Sequence, residues 1–275
     1  MAPDLRDTAI MKLRNLGYLA LCVGALCSSL MSERVVTRYT EGLVHGFLVL
    51  RDMDDKILAS GELSQRASGN RVTSELIFHF RDGSLHEETT VFSQRKTFQL
   101  LTYHLVQKGS AFKRATDMTI NATTGLVTVI SIDDDGKEKT YSETMKLPPD
   151  LANGLIMTLV KDIDPKALKT TVSMVASTPK PRLVKLVVKS EEVEDSFSIA
   201  GTPRKALHYT IKVDIGGLSG VVAPIVGKQP PDTHVWLVGG KSPGFLKSEG
   251  PLSDGSPVWK IELASPTWPK VDSSR

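Results

Sequence analysis

Hydrophobic and polar residues alternate along most of the chain between residues 44 and 141, and turn residues separate the alternating segments. Between residues 72 and 80, Leu76, Phe78 and Phe80 fall on one face and His79 on the other. Pairs such as Asp82-Gly83 supply the positive φ angles of tight hairpin turns, so the pattern predicts an antiparallel meander. The strands predicted in this half are Val44–Leu50, Ile57–Ala59, Glu62–Arg66, Val72–Phe80, Leu85–Phe92, Met118–Asn121, Val127–Ile132 and Lys137–Tyr141.

One segment in the middle of the chain has helical periodicity instead. Leu155 and Leu159 are spaced four residues apart, and a second apolar row that includes Ile156 runs beside them. Two prolines precede the segment and another follows it, as expected at the ends of a helix. The pattern predicts one buried helix at about 149–163, with Lys161 on its polar side.

Strand patterns resume after this helix and continue almost to the end of the chain. No linker rich in proline or glycine divides the sequence after residue 33, so we expect one domain over residues 33–275. The sequence therefore predicts a mainly β fold, a single curved antiparallel sheet or half-barrel that holds one buried helix. The later predicted strands are Thr171–Ala176, Arg182–Lys189, Asp195–Ile199, Ala206–Ile215, His234–Val238 and Val258–Leu263.

The first 32 residues have the order of a secretory signal. Lys12 and Arg14 precede about twelve apolar residues, which are followed by small residues. An apolar run of this length is too short for a permanent membrane helix, so we predict export to the periplasm or the extracellular space, with an uncleaved anchor as the alternative. Both cysteines, Cys22 and Cys27, lie inside this segment, and each follows a leucine, which disfavours lipidation. The exported chain would contain no disulfide, a composition that suits a bacterial envelope.

Composition and charge exclude some classes of function. The chain has 34 basic and 31 acidic residues, a formal net charge of +3, and these charges are spread along its length. This balance gives no electrostatic reason to expect nucleic-acid binding. With 40% hydrophobic and 24% charged residues, the chain is expected to fold around a core.

Motifs that would carry catalysis or metal binding are weak. The acidic segments 52–55 and 133–138 lack the spacing of a calcium loop and are interpreted as hairpin turns. His79 and His86 flank the Asp82-Gly83 turn, and with Glu88 they could form a carboxylate–histidine site of a hydrolase, which is the least favoured alternative. We therefore predict no catalytic residue, no metal ligand and no cofactor.

Apolar residues near the C-terminal end form the more interesting set. The glycine-rich segment 216–227 contains Val221, Val222 and Ile225 and could be a ligand lid, a membrane contact or a bulged core strand. Trp236 and Trp259 lie within the last forty residues, as does Trp268, so one end of the sheet should be rich in aromatic side chains.

The chain resembles an uncharacterised group of secreted bacterial β-rich proteins, which are similar to the half-barrel of the bacterial lipoprotein-carrier fold. The resemblance implies a concave apolar cavity and supplies no catalytic motif. It rests on four segments, Leu147–Ile163, Thr178–Arg182, Gly227–Trp236 and Ile261–Trp268.

These observations favour a non-enzymatic envelope protein that binds a lipid or another apolar or amphipathic ligand, with peripheral membrane contact as a further expectation. The alternative is a scaffold or assembly protein of the envelope without a small ligand. The candidate ligand-binding residues are Leu155, Ile156, Leu159, Val221, Val222, Ile225 and Trp236.

Overall fold

The computed structural model describes residues 34–132, 135–191, 195–199, 202–214, 229–240 and 243–264. These residues form fifteen strands of one antiparallel sheet and one short helix, so the predicted fold class is confirmed. The predicted signal segment, residues 1–32, lies outside the described residues. The elements are β1 Val44–Arg51, β2 Ile57–Ser68, β3 Arg71–Phe80, β4 Leu85–Ser93, β5 Gln99–Lys108, β6 Ala115–Asn121, β7 Leu126–Ile132, β8 Glu138–Thr144, α1 Ile156–Asp162, β9 Thr170–Ala176, β10 Arg182–Ser190, β11 Asp195–Ile199, β12 Thr202–Asp214, β13 Thr233–Val238, β14 Gly244–Pro251 and β15 Val258–Leu263.

The sheet is built largely from consecutive hairpins. Its strand order is β8-β7-β6-β5-β4-β3-β2-β1-β15-β14-β13-β12-β10-β9, and β11 pairs with β12 beside this path. The sheet is not closed, because the described parts of its two end strands, β8 and β9, do not pair with each other. The segment 145–169, which contains α1, connects these two end strands. None of the helices formed by the described residues is long and apolar enough to cross a membrane.

One face of the sheet, here called the inner face, carries the hydrophobic core. In β3 this face bears Val72, Phe78 and Phe80, as the alternation predicted, and His79 lies on the other face. A large cluster packs α1 and the residues before it against β3–β7, β9, β10, β12 and β13. A smaller cluster near β1–β3 and β15 contains the buried residues Leu48, Leu50, Ala59, Phe78, Phe80, Phe112 and Trp259.

The helix is shorter than the sequence pattern predicts. It spans Ile156–Asp162, whereas the prediction placed it at about 149–163. Gly154 has φ +67°, a left-handed conformation that interrupts a right-handed helix, and Leu155 is the N-cap. A Cβ at Gly154 would lie 1.9 Å from the hydroxyl oxygen of Thr90, so this turn packs directly on β4.

The residues before the helix cover the edge of β9. Leu151 forms a parallel bridge with Ser173, and the side chain of Asn153 donates to Val175 O and accepts from Val175 N, both at 2.9 Å. Asp150 is buried and accepts hydrogen bonds from the Ser173 hydroxyl at 3.1 and 2.9 Å. This pairing satisfies backbone groups that an open edge would expose, and it draws residues 150–153 out of the helix.

Polar contacts fix the end of α1 to the chain that precedes β1. Lys161 forms an ion pair with the buried carboxylate of Glu41, which also accepts from Gln65 Nε2 at 2.7 Å. Asp162 Oδ1 accepts from the backbone N–H groups of Arg38 and Tyr39 at 2.5 and 2.8 Å. Lys161 thus lies on the polar side of α1, as predicted, but its ion pair with Glu41 leaves its side chain only 20% exposed.

Candidate functional site

The candidate site begins at the hairpin turn that joins β3 to β4. Gly83 has φ +85°, and the Asp82 carboxylate accepts from Ser84 N at 2.9 Å, which closes the turn predicted from the Asp-Gly pair. The N–H of Arg81 donates to Leu58 O at 2.9 Å, so the turn lies against the start of β2.

The loop between β5 and β6 docks on this turn. The Ser84 hydroxyl accepts from Ala111 N at 2.9 Å, and the Ser110 hydroxyl donates to Asp82 Oδ2 at 2.8 Å. Gly109 permits the close approach, because it has φ +100° and an added Cβ would lie 2.4–2.7 Å from Ser84 atoms. The loop therefore holds Ala111 and Phe112 at the end of the smaller core cluster.

Aromatic rings form the base of the site. The centroids of Phe80 and Phe112 are 5.3 Å apart with an edge-to-face angle of 78°, and Trp259 lies 5.6 Å from Phe80 and 6.3 Å from Phe112. Such contacts favour tilted packing and give a rigid apolar surface. The tryptophan comes from β15 and the phenylalanines from β3 and the docked loop.

A hollow of about 310 Å³ opens above these rings and is here called the Trp259 hollow. Its apolar lining consists of Ile57 and Leu58 from β2 together with Phe80, Ala111 and Trp259. The volume lies at the lower end of the range of ~300–1,000 Å³ that is usual for small-molecule sites. The arrangement can hold an apolar group, and its described lining brings no histidine, serine or paired carboxylates together for acid–base or nucleophilic chemistry.

Three charged side chains line the mouth of the hollow, namely Lys56, Arg81 and Asp82. The hydrogen bond from Ser84 N lowers the pKa of Asp82 most, and hydrogen bonds from the Ser110 and Ser84 hydroxyls lower it further. This carboxylate is therefore ionised at neutral pH. Lys56 follows a turn in which Asp52 Oδ1 accepts from the N–H groups of Asp54 and Lys56. The acidic segment 52–55 therefore holds a turn, as interpreted from the sequence.

His86 lies buried behind the aromatic base. Its ring centroid is 6.1 Å from Phe78 and 6.4 Å from Phe112, and burial lowers its pKa from 6.5 to about 4. Gln107 Nε2 donates to Leu252 O, which can only accept, and to His86 Nδ1 at 3.0 Å. His86 is consequently neutral with its proton on Nε2, and that nitrogen has no hydrogen-bond partner among the residues that the structure describes.

The candidate ligand residues on and beside α1 lie in the larger core cluster. Leu155 and Leu159 are 1% and 3% exposed, and Ile156 is partly buried against the same cluster. None of the three lines the Trp259 hollow. The other apolar candidates, Val221, Val222 and Ile225, lie outside the described residues.

Trp236 lies on the face of β13 opposite the core residues Val235 and Leu237. Its ring stacks on His208 at 4.3 Å and 10°, and Lys247 Nζ lies 4.0 Å from its centroid. These neighbours reduce the exposure of Trp236 to 9%. The sheet thus separates Trp236 from the inner-face aromatic base that includes Trp259.

The histidines of the hydrolase alternative do not come together. His86 pairs with Phe78 on the inner face, whereas His79 is exposed on the other face. Glu88 shares the inner face with His86 but accepts from Tyr103 Oη at 2.9 Å, and burial raises its pKa. Among the described residues, no group of three or more metal-ligating side chains is assembled.

Sequence reasoning predicted the turn and the strands that contain Leu58, Phe80 and Trp259, but it named none of the residues that line the hollow as a candidate ligand residue. The position of Ala111 depends on how the loop after β5 docks, and β5 itself was not predicted. Two signals were present in the sequence, a glycine-serine pair after residue 108 and a phenylalanine three residues beyond that glycine. Neither signal indicates which distant turn the loop contacts.

Comparisons with known proteins found a similar solved structure and no matching family model. No protein-family model matches the chain, and no curated protein matches it significantly in sequence. A solved structure to which the chain is similar is the β-barrel-like protein of domain of unknown function DUF1849 from Brucella abortus. It is 10% identical in sequence with a TM-score of 0.44, and the match covers 82% of this chain and 98% of that one. The likeness is in β architecture and transfers no residue role.

Proposed function

We propose that the protein is an exported, non-enzymatic binding protein of the bacterial envelope that holds the alkyl chain of an amphipathic ligand. The observation that carries the proposal is the Trp259 hollow, an open apolar space at the end of a well-packed inner face. The secretory character of residues 1–32 and the resemblance to lipoprotein carriers support it. The alternative is an envelope scaffold without a small ligand.

The size of the hollow sets the length of chain that it accommodates. A methylene group occupies a volume close to the ~30 Å³ of a water molecule, so a ten-carbon chain is a suitable probe for an open space of about 310 Å³. Each buried methylene contributes ~0.8 kcal/mol, so a chain with eight methylenes buried gains about 6 kcal/mol. Ordering costs reduce this gain, and we expect dissociation constants of about 0.1 to 1 mM.

Filling the hollow tests the proposal. We expect decanoate to change the fluorescence of Trp259 and to bind saturably, and Ala111→Phe or Leu58→Trp to abolish binding by occupying the space. Ala67→Phe is the matched control, because Ala67 is exposed on β2 and does not line the hollow. Isothermal titration calorimetry measures all four proteins, and thermal melts verify that each is folded.

The result separates the proposal from its alternatives. Binding that disappears in both filling variants and persists in Ala67→Phe supports an alkyl-chain site in the hollow. Saturable binding that is unchanged in the filling variants would place the ligand elsewhere, for instance beside Leu155, Ile156 and Leu159. Absence of binding to the folded wild-type protein up to millimolar concentration favours the scaffold.

A further inference from the structure

The mouth of the Trp259 hollow carries an excess of positive charge. Lys56 and Arg81 are exposed at the mouth, and neither side chain forms an ion pair within the described part of the chain. Other basic residues nearby are paired, since Lys260 contacts Asp55 at 2.5 Å and Arg51 contacts Glu262 at 3.3 Å. Two cations therefore remain available beside an apolar space.

The acidic residue at the same mouth does not neutralise these cations. Asp82 Oδ1 accepts from Ser84 N and Oδ2 accepts from Ser110 Oγ, so hydrogen bonds direct both oxygens toward the turn and the docked loop. The three side chains together carry two positive charges and one negative charge at neutral pH. The mouth has a net charge of +1, which a ligand bearing one negative charge would balance.

We infer that the hollow selects a single-chain amphiphile with a carboxylate head, whose alkyl chain of about ten carbons enters the hollow while Lys56 and Arg81 contact the head. This inference rests on the proposed function and adds the chemical class of the ligand. A guanidinium matches a carboxylate with two parallel hydrogen bonds, and a lysine adds a point charge. A neutral or cationic head gains neither contact.

Ligands that share one chain length and differ in head charge test the inference. Decanoate, decanol and decyltrimethylammonium are titrated at pH 7.5 into the wild-type protein and into the Lys56→Ser/Arg81→Ser variant. Two exposed ion pairs of ordinary strength supply about a tenfold preference. We expect decanoate to bind about tenfold more tightly than decanol at low salt, and this preference to shrink with increasing salt.

Matched variants separate local recognition from the overall charge of the protein. Arg66→Ser/Arg71→Ser removes two exposed cations at the opposite end of the β2–β3 hairpin, and we expect it to keep the preference for decanoate. Lys56→Ser/Arg81→Ser should bind decanoate and decanol equally, and Arg81→Glu should favour decyltrimethylammonium.

The outcomes distinguish failure of the carboxylate inference from failure of the proposed function. Equal binding of decanoate and decanol by the wild-type protein, sensitive to Ala111→Phe, would overturn the carboxylate inference and leave the alkyl-chain site standing. Equal loss of the preference in the Arg66/Arg71 and Lys56/Arg81 variants would overturn the carboxylate inference in the same way. If none of the three ligands binds, the proposed function fails and the inference fails with it.

Discussion

The buried His86 makes the stability of the protein depend on pH in a way that can be calculated. Its ring is 2% exposed, accepts one hydrogen bond from Gln107 and is packed between Phe78 and Phe112. Burial lowers its pKa from 6.5 to about 4 in the folded protein, so the unfolded chain binds a proton over a pH range in which the folded protein does not. The free energy of unfolding should therefore fall as the pH decreases from about 6.5 to 4.

The magnitude follows from the difference between the two pKa values. At pH 5.5 the unfolded chain is mostly protonated at this histidine, and the stabilisation lost is about 1 kcal/mol. At pH 4 the loss reaches about 3 kcal/mol, and it levels off below that value. The stabilisation due to His86 is fully present above pH 6.5, the pKa of histidine in the unfolded chain, and it is lost as the pH falls.

Urea unfolding followed by far-UV circular dichroism measures the effect at pH 7.5, 6.5, 5.5 and 4.5. His86→Gln keeps an acceptor for Gln107 and removes the titration, so the difference between wild type and variant isolates His86 from the carboxyl groups. His79→Gln is the control, because His79 is exposed on the opposite face of β3. Parallel pH profiles for wild type and His86→Gln would refute the reasoning.

Three further changes test the packing around α1 and the docked loop. Lys161→Met should lower the free energy of unfolding by about 2–4 kcal/mol in urea titrations, because it leaves the carboxylate of Glu41 buried without its cation, and Glu41→Gln in the same chain should restore part of the loss. Leu155→Asp should cost several kcal/mol, since the site is 1% exposed, and an unchanged thermal melt would contradict the observed packing. Gly109→Ala should destabilise the protein by about 2 kcal/mol or more and weaken decanoate binding. Gly69→Ala, whose Cβ would meet no atom within 4 Å, should cost about 1 kcal/mol and leave binding unchanged. Equal losses of stability would show that the loop does not need the close approach of Gly109 to Ser84.

The sequence predicted the parts of the fold that local patterns determine. Alternation in β3 and the Asp82-Gly83 turn were sufficient for the hairpins, because side-chain period and turn type are properties of neighbouring residues. β14 was not predicted because it contains Gly244, Gly250 and Pro251, residue types that usually interrupt a strand. β5 has a clear apolar pattern, and its omission was an error of interpretation.

Long-range contacts account for most of the remaining differences. The apolar rows before α1 fit a helix, but Asn153 pairs with Val175 and Gly154 packs on β4, contacts that a local pattern does not contain. The ion pair of Lys161 with Glu41 was not predicted, because Glu41 lies 120 residues earlier in the chain. The Trp259 hollow has the same origin, since its lining residues come from four separate segments.

Photo-crosslinking tests the central claim, that the Trp259 hollow holds an alkyl chain, most directly. A decanoate analogue with a diazirine at the end of its chain is irradiated with the full-length protein, and the modified residues are identified by peptide mass spectrometry. We expect labelling of Phe80, Ala111 or Trp259 that excess decanoate suppresses and that Ala111→Phe removes. Labelling confined to Leu155–Leu159, to the segment 221–225 or to Trp236 would contradict the claim, as would the absence of any label that decanoate displaces.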